Sequence, residues 1–308
     1  MLRIRHKAEG KPGALLAERV DRPEPAAGEL LVRVGAIGVT LPTVRKLWER
    51  GDGPVALGGE IAGEVVALGP GVEDFALGEH VTGLCFADAY AEFAVLSTAM
   101  ASRVPAGVTA VDAVAVVRSG LVALGAYEAA RPQLHESVLV TAAASGVGVM
   151  ALQYARALGA GRVVAAVSSR AKVDFVRWMG ADEVVRYADA DWGGPYDVIL
   201  DGVGGDLLAP AVRCLAPGGR LVAFSSGGGA VEAHELLLRG ASLIGFQMRA
   251  VAAGQPERHA RWQRELWQLY GAGTLRPAVH AQIPLSQAAR AHALVERRRN
   301  LGKVVLVP

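Results

Sequence analysis

The segment SVLVTAAASGVGVMALQYARALGA, residues 137–160, constrains the fold of this chain more than any other. An apolar run, Val138 to Thr141, passes through three alanines into Ser145-Gly146-Val147-Gly148, and apolar residues then take up helical spacing. A strand that turns through small residues straight into a helix calls for a second strand lying parallel to the first, because the helix carries the chain back along the sheet. The rest of the middle region keeps this rhythm. Apolar strand starts fall near Val138, Val163, Val198, Leu221 and Leu243, and helical patterns over 147–158, 170–179, 206–215 and 231–239 separate most of them. Strands alternating with crossover helices predict an α/β fold with a doubly wound parallel sheet.

The first 112 residues read differently. Short apolar runs (Leu30–Val39, Ile61–Leu68, His80–Leu84 and Ala89–Val95) are bounded by Gly and Pro clusters such as GPGVEDFALGEH. They predict a compact β-rich domain. From about residue 253 the chain holds helical patterns at 257–271 and 286–298 and a last strand, Lys303–Val307. The 38 glycines and 15 prolines among 308 residues are scattered through a sequence that is 52% hydrophobic, which excludes collagen and low-complexity disorder. With 32 basic and 30 acidic residues there is no electrostatic case for nucleic acid or an anionic membrane. Asp112 and Arg118 interrupt the apolar stretch 110–127, and Arg156 and Arg162 interrupt 138–169, so neither reads as a membrane span. Two distant cysteines, Cys85 and Cys214, and an N-terminus without an apolar leader point to a reduced, cytoplasmic compartment.

Small residues at a strand–helix turn let the backbone approach a pyrophosphate, whose charge the first amides of the helix stabilise. Ala143 takes the place of the first glycine of GxGxxG, with Gly146 and Gly148 behind it. A binding role for NAD usually brings a carboxylate about 20 residues further on, to accept the ribose 2′-hydroxyl. Here that count lands on Ser168, followed by Ser169, Arg170 and Lys172, and no acid appears before Asp174. Hydroxyls and cations attract a 2′-phosphate where a carboxylate would repel it, so the expected cofactor is NADPH. Two more strand ends, around Gly204-Gly205 and Ser225–Gly227, carry glycines where open sheets bind ligands; simple turns explain them equally well. Asp201 reads as a turn-capping group.

These motifs, together with LPTVRK, LGGEIAGEVVALGPGV, GEHVTG, GADEVVRY, DVILDGVGG, LAPGGRLV and GKVVLVP in their order, resemble the medium-chain dehydrogenase/reductase superfamily. Within it the chain is most similar to the zinc-free quinone oxidoreductase (zeta-crystallin-like) branch. The resemblance implies a GroES-like domain (1–115 together with 253–308), a Rossmann domain (116–252), an active site between them and a homodimer through the Rossmann edge strand, Ser242–Met248. It assigns Ala144, Ser145, Gly146 and Val147 to the pyrophosphate turn, Ser168, Lys172 and Tyr187 to the 2′-phosphate, Phe246 to the neighbourhood of the nicotinamide and Arg298 to a further cofactor contact.

Where zinc-dependent relatives place a ligand Cys and a ligand His, this chain has Thr40 and Gly59, neither of which holds Zn²⁺. The branch's usual Asn, Asp and Tyr of GxNxxDxY are replaced by Thr40, Thr43 and Arg45. Reduction of a quinone or other α,β-unsaturated carbonyl without metal then needs hydrogen-bond donors for the developing oxyanion. Thr40 is the leading candidate, with Arg45 and Ser119 behind it; a turn-capping hydroxyl is the plain alternative for Thr40. Two other functions stay open. One is an enoyl reductase acting on an acyl thioester, with Arg45, Lys46 and Arg50 as a basic entrance. The other is an NADPH-binding structural or sensor protein without turnover.

Overall fold

The computed structural model describes residues 1–6, 15–49, 57–224 and 227–308, without the side chains of Lys46, Trp48 and Glu49. Ser225 and Arg50, and the side chain of Lys46, therefore lie outside the described residues. Contacts divide the chain into two units, Met1–Arg118 with Ala278–Pro308, and Ser119–Pro277.

The first unit carries strands β1 (Leu2–His6), β2 (Leu15–Arg19) and β3 (Glu29–Val39), helix α1 (Leu41–Glu49), and strands β4 (Gly59–Leu68), β5 (His80–Cys85), β6 (Phe93–Ser97) and β7 (Ala101–Arg103). Helix α2 (Ala110–Ala129) begins there and runs into the second unit. The second unit follows as β8 (Ser137–Val140), α3 (Gly146–Ala157), β9 (Arg162–Val167), α4 (Val173–Trp178), β10 (Glu183–Arg186), β11 (Tyr196–Asp201), α5 (Leu208–Arg213), β12 (Leu215–Ala223), α6 (Ala233–Arg239), β13 (Ser242–Gly245), α7 (Met248–Gly254) and α8 (Pro256–Gly271). The chain then returns to the first unit with β14 (Val279–Pro284), α9 (Ala288–Glu296) and β15 (Lys303–Val307).

In the second unit the six strands lie in the order β10-β9-β8-β11-β12-β13 and every neighbouring pair is parallel. The strand order reverses between β8 and β11, so their carboxyl ends flank a topological switch point, where open sheets take their ligands. Leu139, Val164, Ile199 and Leu221 are fully buried at its centre, which is why these strands read as unbroken apolar runs. The first unit is built on a sheet in the order β14-β15-β3-β4-β5-β7, with β6 also on β3. β15 pairs antiparallel with β3, and β3 with β4, fixing Val305 opposite Gly38 and Gly38 opposite Glu60. Its core gathers Leu30, Val32, Ile37, Ile61, Leu96 and Leu306.

Three expectations are corrected. The boundary at 252/253 moves to 277/278, because α8 packs within the second unit. A Cβ on Gly120 of α2 would lie 2.4 Å from Leu266, and one on Gly125 would lie 2.4 Å from Phe246 and 2.8 Å from Trp262, so α2 can meet these large side chains only through glycine. The run Ala89–Val95 is strand only from Phe93, and continues to Ser97; Ala89, Tyr90 and Ala91 are buried in the preceding bend. The edge strand expected over Ser242–Met248 ends at Gly245, and Met248 starts α7. Helix α2 is long and apolar enough to cross a membrane, but 78% of its apolar window is buried inside the fold, as in a core helix.

Candidate active site

The glycine turn sits at the carboxyl end of β8, beside the switch point. Ser145 caps α3, its hydroxyl accepting from Gly148 N at 3.0 Å. Gly146 and Val147, the first residues of the helix, are half-buried, while Ala143, Ala144 and Gly148 are buried. A Cβ on Gly148 would lie 2.3 Å from the Ala142 carbonyl oxygen, so this glycine serves helix–turn packing. Ala142, at φ +48°, takes the left-handed conformation that glycine usually supplies, and its N–H donates to Tyr187 Oη at 2.7 Å. Tyr187 follows β10 and packs on Trp192, with ring centroids 5.9 Å apart, so the tyrosine expected at the 2′-phosphate is anchored to the turn itself.

Ser168, Ser169 and Arg170 lie exposed just after β9, and Lys172 is half-buried one turn on. Arg170 also borders a groove of about 430 Å³ along α4 and β10 that Arg177, Arg186 and Asp189 line. Across the switch point Asp201 is fully buried. It accepts from Thr141 Oγ1 at 2.7 Å, Gly204 N at 2.9 Å and Val203 N at 3.1 Å, and so caps the turn after β11 as its position in the sequence suggests. Gly204, at φ +69°, is needed there: a Cβ would meet the Gly228 carbonyl oxygen at 2.7 Å. Phe246 follows β13 on the same carboxyl side of the sheet, with its ring 6.2 Å from Trp262. A pyrophosphate fits the small-residue turn and the α3 amides, and a 2′-phosphate fits the hydroxyls and cations after β9. Arg298 is exposed in the first unit, at φ +52°, just beyond α9.

In the first unit Thr40 ends β3 and starts α1. Its Oγ1 lies 3.1 Å from Thr43 Oγ1, which in turn donates to the Gly58 carbonyl at 3.0 Å. Because the Thr43 proton goes to Gly58, Thr40 is the donor in its contact with Thr43. Thr40 also accepts from Thr43 N at 3.4 Å. The leading candidate for polarising a substrate oxygen is thus a cap whose own proton is already engaged. Arg45 is half-buried on α1. Ser119 is 1% exposed within α2, and among the described residues its hydroxyl has no hydrogen-bond partner.

The residues missed in the sequence lie beside Thr40. Glu60 on β4 is 2% exposed and pairs with Lys303 of β15, itself 6% exposed, and with Arg118 Nη1 at 3.1 Å. A Cβ on Gly38 would lie 2.8 Å from both Glu60 Oε2 and Lys303 Cε, so glycine makes room for the pair. Burial pushes the Lys303 ammonium below its ordinary range, and the Glu60 carboxylate beside it opposes that shift. A Cβ on the neighbouring Gly59 would meet the Tyr90 ring at 3.3 Å. A zinc ion does not fit this site. Thr40 and Gly59 offer neither thiolate nor imidazole, and the Glu60 carboxylate is held by two cations.

Residues 26–124 match the alcohol dehydrogenase GroES-like domain, and residues 179–306 match the family described as zinc-binding dehydrogenase. A quinone oxidoreductase of Pseudomonas aeruginosa is 32% identical over 99% of both chains. The spectinabilin polyketide synthase system protein NorB of Streptomyces orinoci is 35% identical over 92% of this chain and 13% of its own length. A mycobacterial protein whose structure was solved in complex with NADPH superposes with a TM-score of 0.92, at 30% identity and full coverage of both chains. A GroES-like unit joined to a doubly wound nucleotide-binding unit defines an oxidoreductase of the medium-chain type. The chain belongs to the quinone oxidoreductase branch of the medium-chain dehydrogenase/reductase superfamily.

Proposed function

We propose that this protein is an NADPH-dependent oxidoreductase that transfers a hydride to a quinone or another α,β-unsaturated carbonyl compound without a metal ion. The observation that carries the cofactor is the turn after β9, where Ser168, Ser169, Arg170 and Lys172 stand in place of an acid, close in sequence to Tyr187 and its bond to the glycine turn. The mycobacterial neighbour solved with NADPH supports the same cofactor. When bound, NADPH supplies the hydride. The protein's residues do the rest. The small turn and α3 amides bind the pyrophosphate, the cations after β9 hold the 2′-phosphate, and the end of β3 and β4 around Thr40 meets the substrate oxygen. Ala144, Gly204, Ser225, Phe246 and Arg298 are assigned to the cofactor on the same reading.

The substrate follows from what the pocket lacks. Without zinc the carbonyl must be activated by hydrogen bonds, which suits acceptors whose oxyanion is delocalised, such as quinones and enones. The match to a polyketide synthase protein supports an enoyl thioester as the second candidate. The protein assembles as a homodimer through β13, the exposed edge of the six-stranded sheet, next to Leu237 and Leu238, which are 74% and 70% exposed. The unpaired Cys85 and Cys214 suit a reducing cytoplasm.

Oxidation of NADPH and NADH by the pure protein with a naphthoquinone, a simple enone and a crotonyl thioester tests this function. The expected result is turnover of the quinone or enone with NADPH preferred, and loss of that preference in the double variant Arg170→Ala, Lys172→Ala. Turnover of the thioester alone would make the chain an enoyl reductase. Equal losses for both cofactors in the variant would remove the 2′-phosphate assignment.

A further inference from the structure

We propose that Arg118 is the electrophile that polarises the substrate carbonyl, standing where a zinc-dependent relative would use its metal. The inference rests on the function proposed above. Three observations carry it. Glu60 and Lys303 are both buried and neutralise each other, so the addition of Arg118 leaves the cluster with one net positive charge. Arg118 keeps 26% of its side chain exposed and, among the described residues, makes one hydrogen bond, from Nη1 to Glu60, which leaves further guanidinium N–H groups for a ligand. The cluster also lies at the Thr40 end of the β3–β4 pair. Gly38 opposite Glu60 precedes Thr40 by two residues, and Gly58, which accepts from Thr43, precedes Glu60 by two.

The arrangement solves the difficulty that Thr40 poses. The threonine hydroxyl is engaged with Thr43, whereas Arg118 offers unengaged donors and a full charge. A buried ion pair contributes little net stability, since desolvation offsets its attraction. Its physical effect here is to fix the guanidinium: one carboxylate oxygen of Glu60 holds Arg118 and the other is held by Lys303. A cation held in place before the reaction stabilises an oxyanion without reorganising.

The substrate gains a hydride at its β-carbon, forming a C–H bond, and NADPH becomes NADP⁺. The electron pair of the C=C bond moves toward the carbonyl, leaving an enolate oxygen that Arg118 holds by hydrogen bonds. That enolate then takes a proton from water to give the saturated ketone. With a quinone the same hydride, followed by one proton from water, gives the hydroquinone.

The test uses the whole protein and its variants Arg118→Ala and Arg118→Lys. Both leave the Glu60–Lys303 pair intact, and melting curves would verify folding. With saturating NADPH and a naphthoquinone, kcat is expected to fall about 10²-fold or more in Arg118→Ala, the usual loss for one oriented donor, with NADPH affinity unchanged. Ethylguanidinium added to Arg118→Ala is expected to restore part of the rate, and tetramethylammonium is not. A second readout needs no turnover: 4-nitrophenol bound to the wild type should titrate toward the phenolate, by absorbance, and lose that preference in Arg118→Ala. An unchanged kcat would overturn the proposal, as would a loss confined to the KM of carboxylate-bearing substrates. The phenol titration decides the role of Arg118 even if no acceptor were reduced by the wild type, a result that would count against the proposed function alone.

Discussion

At the scale of single residues, proton accounting sorts the candidates. Thr40 is the natural choice from the sequence because it replaces a metal ligand, yet its hydroxyl donates to Thr43. Arg118, Glu60 and Lys303 could not be found by spacing, because the partners are 58 and 243 residues apart: the pairing of β15, β3 and β4 brings Glu60 and Lys303 together, and Arg118 reaches Glu60 from α2. The residues proposed for the cofactor stand out in the sequence for the opposite reason. Ser145 to Gly148 and Ser168 to Lys172 each fall within one local turn, whose chemistry the chain order displays. His292 gives a test of burial at this scale. Its Nε2 lies 3.0 Å from Tyr90 Oη, and burial pushes its imidazole from the ordinary value near 6.5 down to about 4. Between those values the unfolded chain binds a proton that the folded one refuses, so stability falls as pH falls. At pH 5 the loss is on the order of 2 kcal/mol. Denaturant midpoints at pH 7 and pH 5 should converge in His292→Gln; an undiminished pH dependence in that variant would place the acid sensitivity elsewhere.

Among elements, those with a strong buried period could be read directly: α3, β3, β4 and β15 lie within two residues of expectation. Missing were β1, β2, β7, β10 and β14, and helices α1, α2 and α7. The strands among them are short and at least half-exposed at most positions, so no alternation stands out against the loops. The bend at Ala89–Ala91 looked like strand because it is apolar, but its residues are buried as a turn against β1: Ile4 N donates to the Tyr90 carbonyl. β13 carries the prediction at this scale. It ends the six-stranded sheet with Leu243 39% exposed, and an open apolar edge is a template for a second strand. Leu243→Lys is expected to yield a monomer in sedimentation while NADPH binding persists; a wild-type protein that sediments as a monomer would contradict edge pairing.

For the whole molecule, the change of rhythm near residue 115 foretold two units, but the return point lay 25 residues later than expected. α8 belongs to the second unit because Trp262 and Leu266 bury themselves against glycines of α2, and because Glu128 of α2 holds Arg258, Arg261 and Trp262 together. A glycine in a helix reads in the sequence as a weak point; here it is a socket for a side chain more than 130 positions away. The proposed function has such a chain move a hydride without a metal, using a fixed organic cation. The most direct test is NADPH oxidation with a naphthoquinone before and after exhaustive chelation, with zinc measured in the same samples. The expected result is an unchanged rate and well under one zinc per chain. A rate that collapses on chelation and returns with added zinc would contradict it.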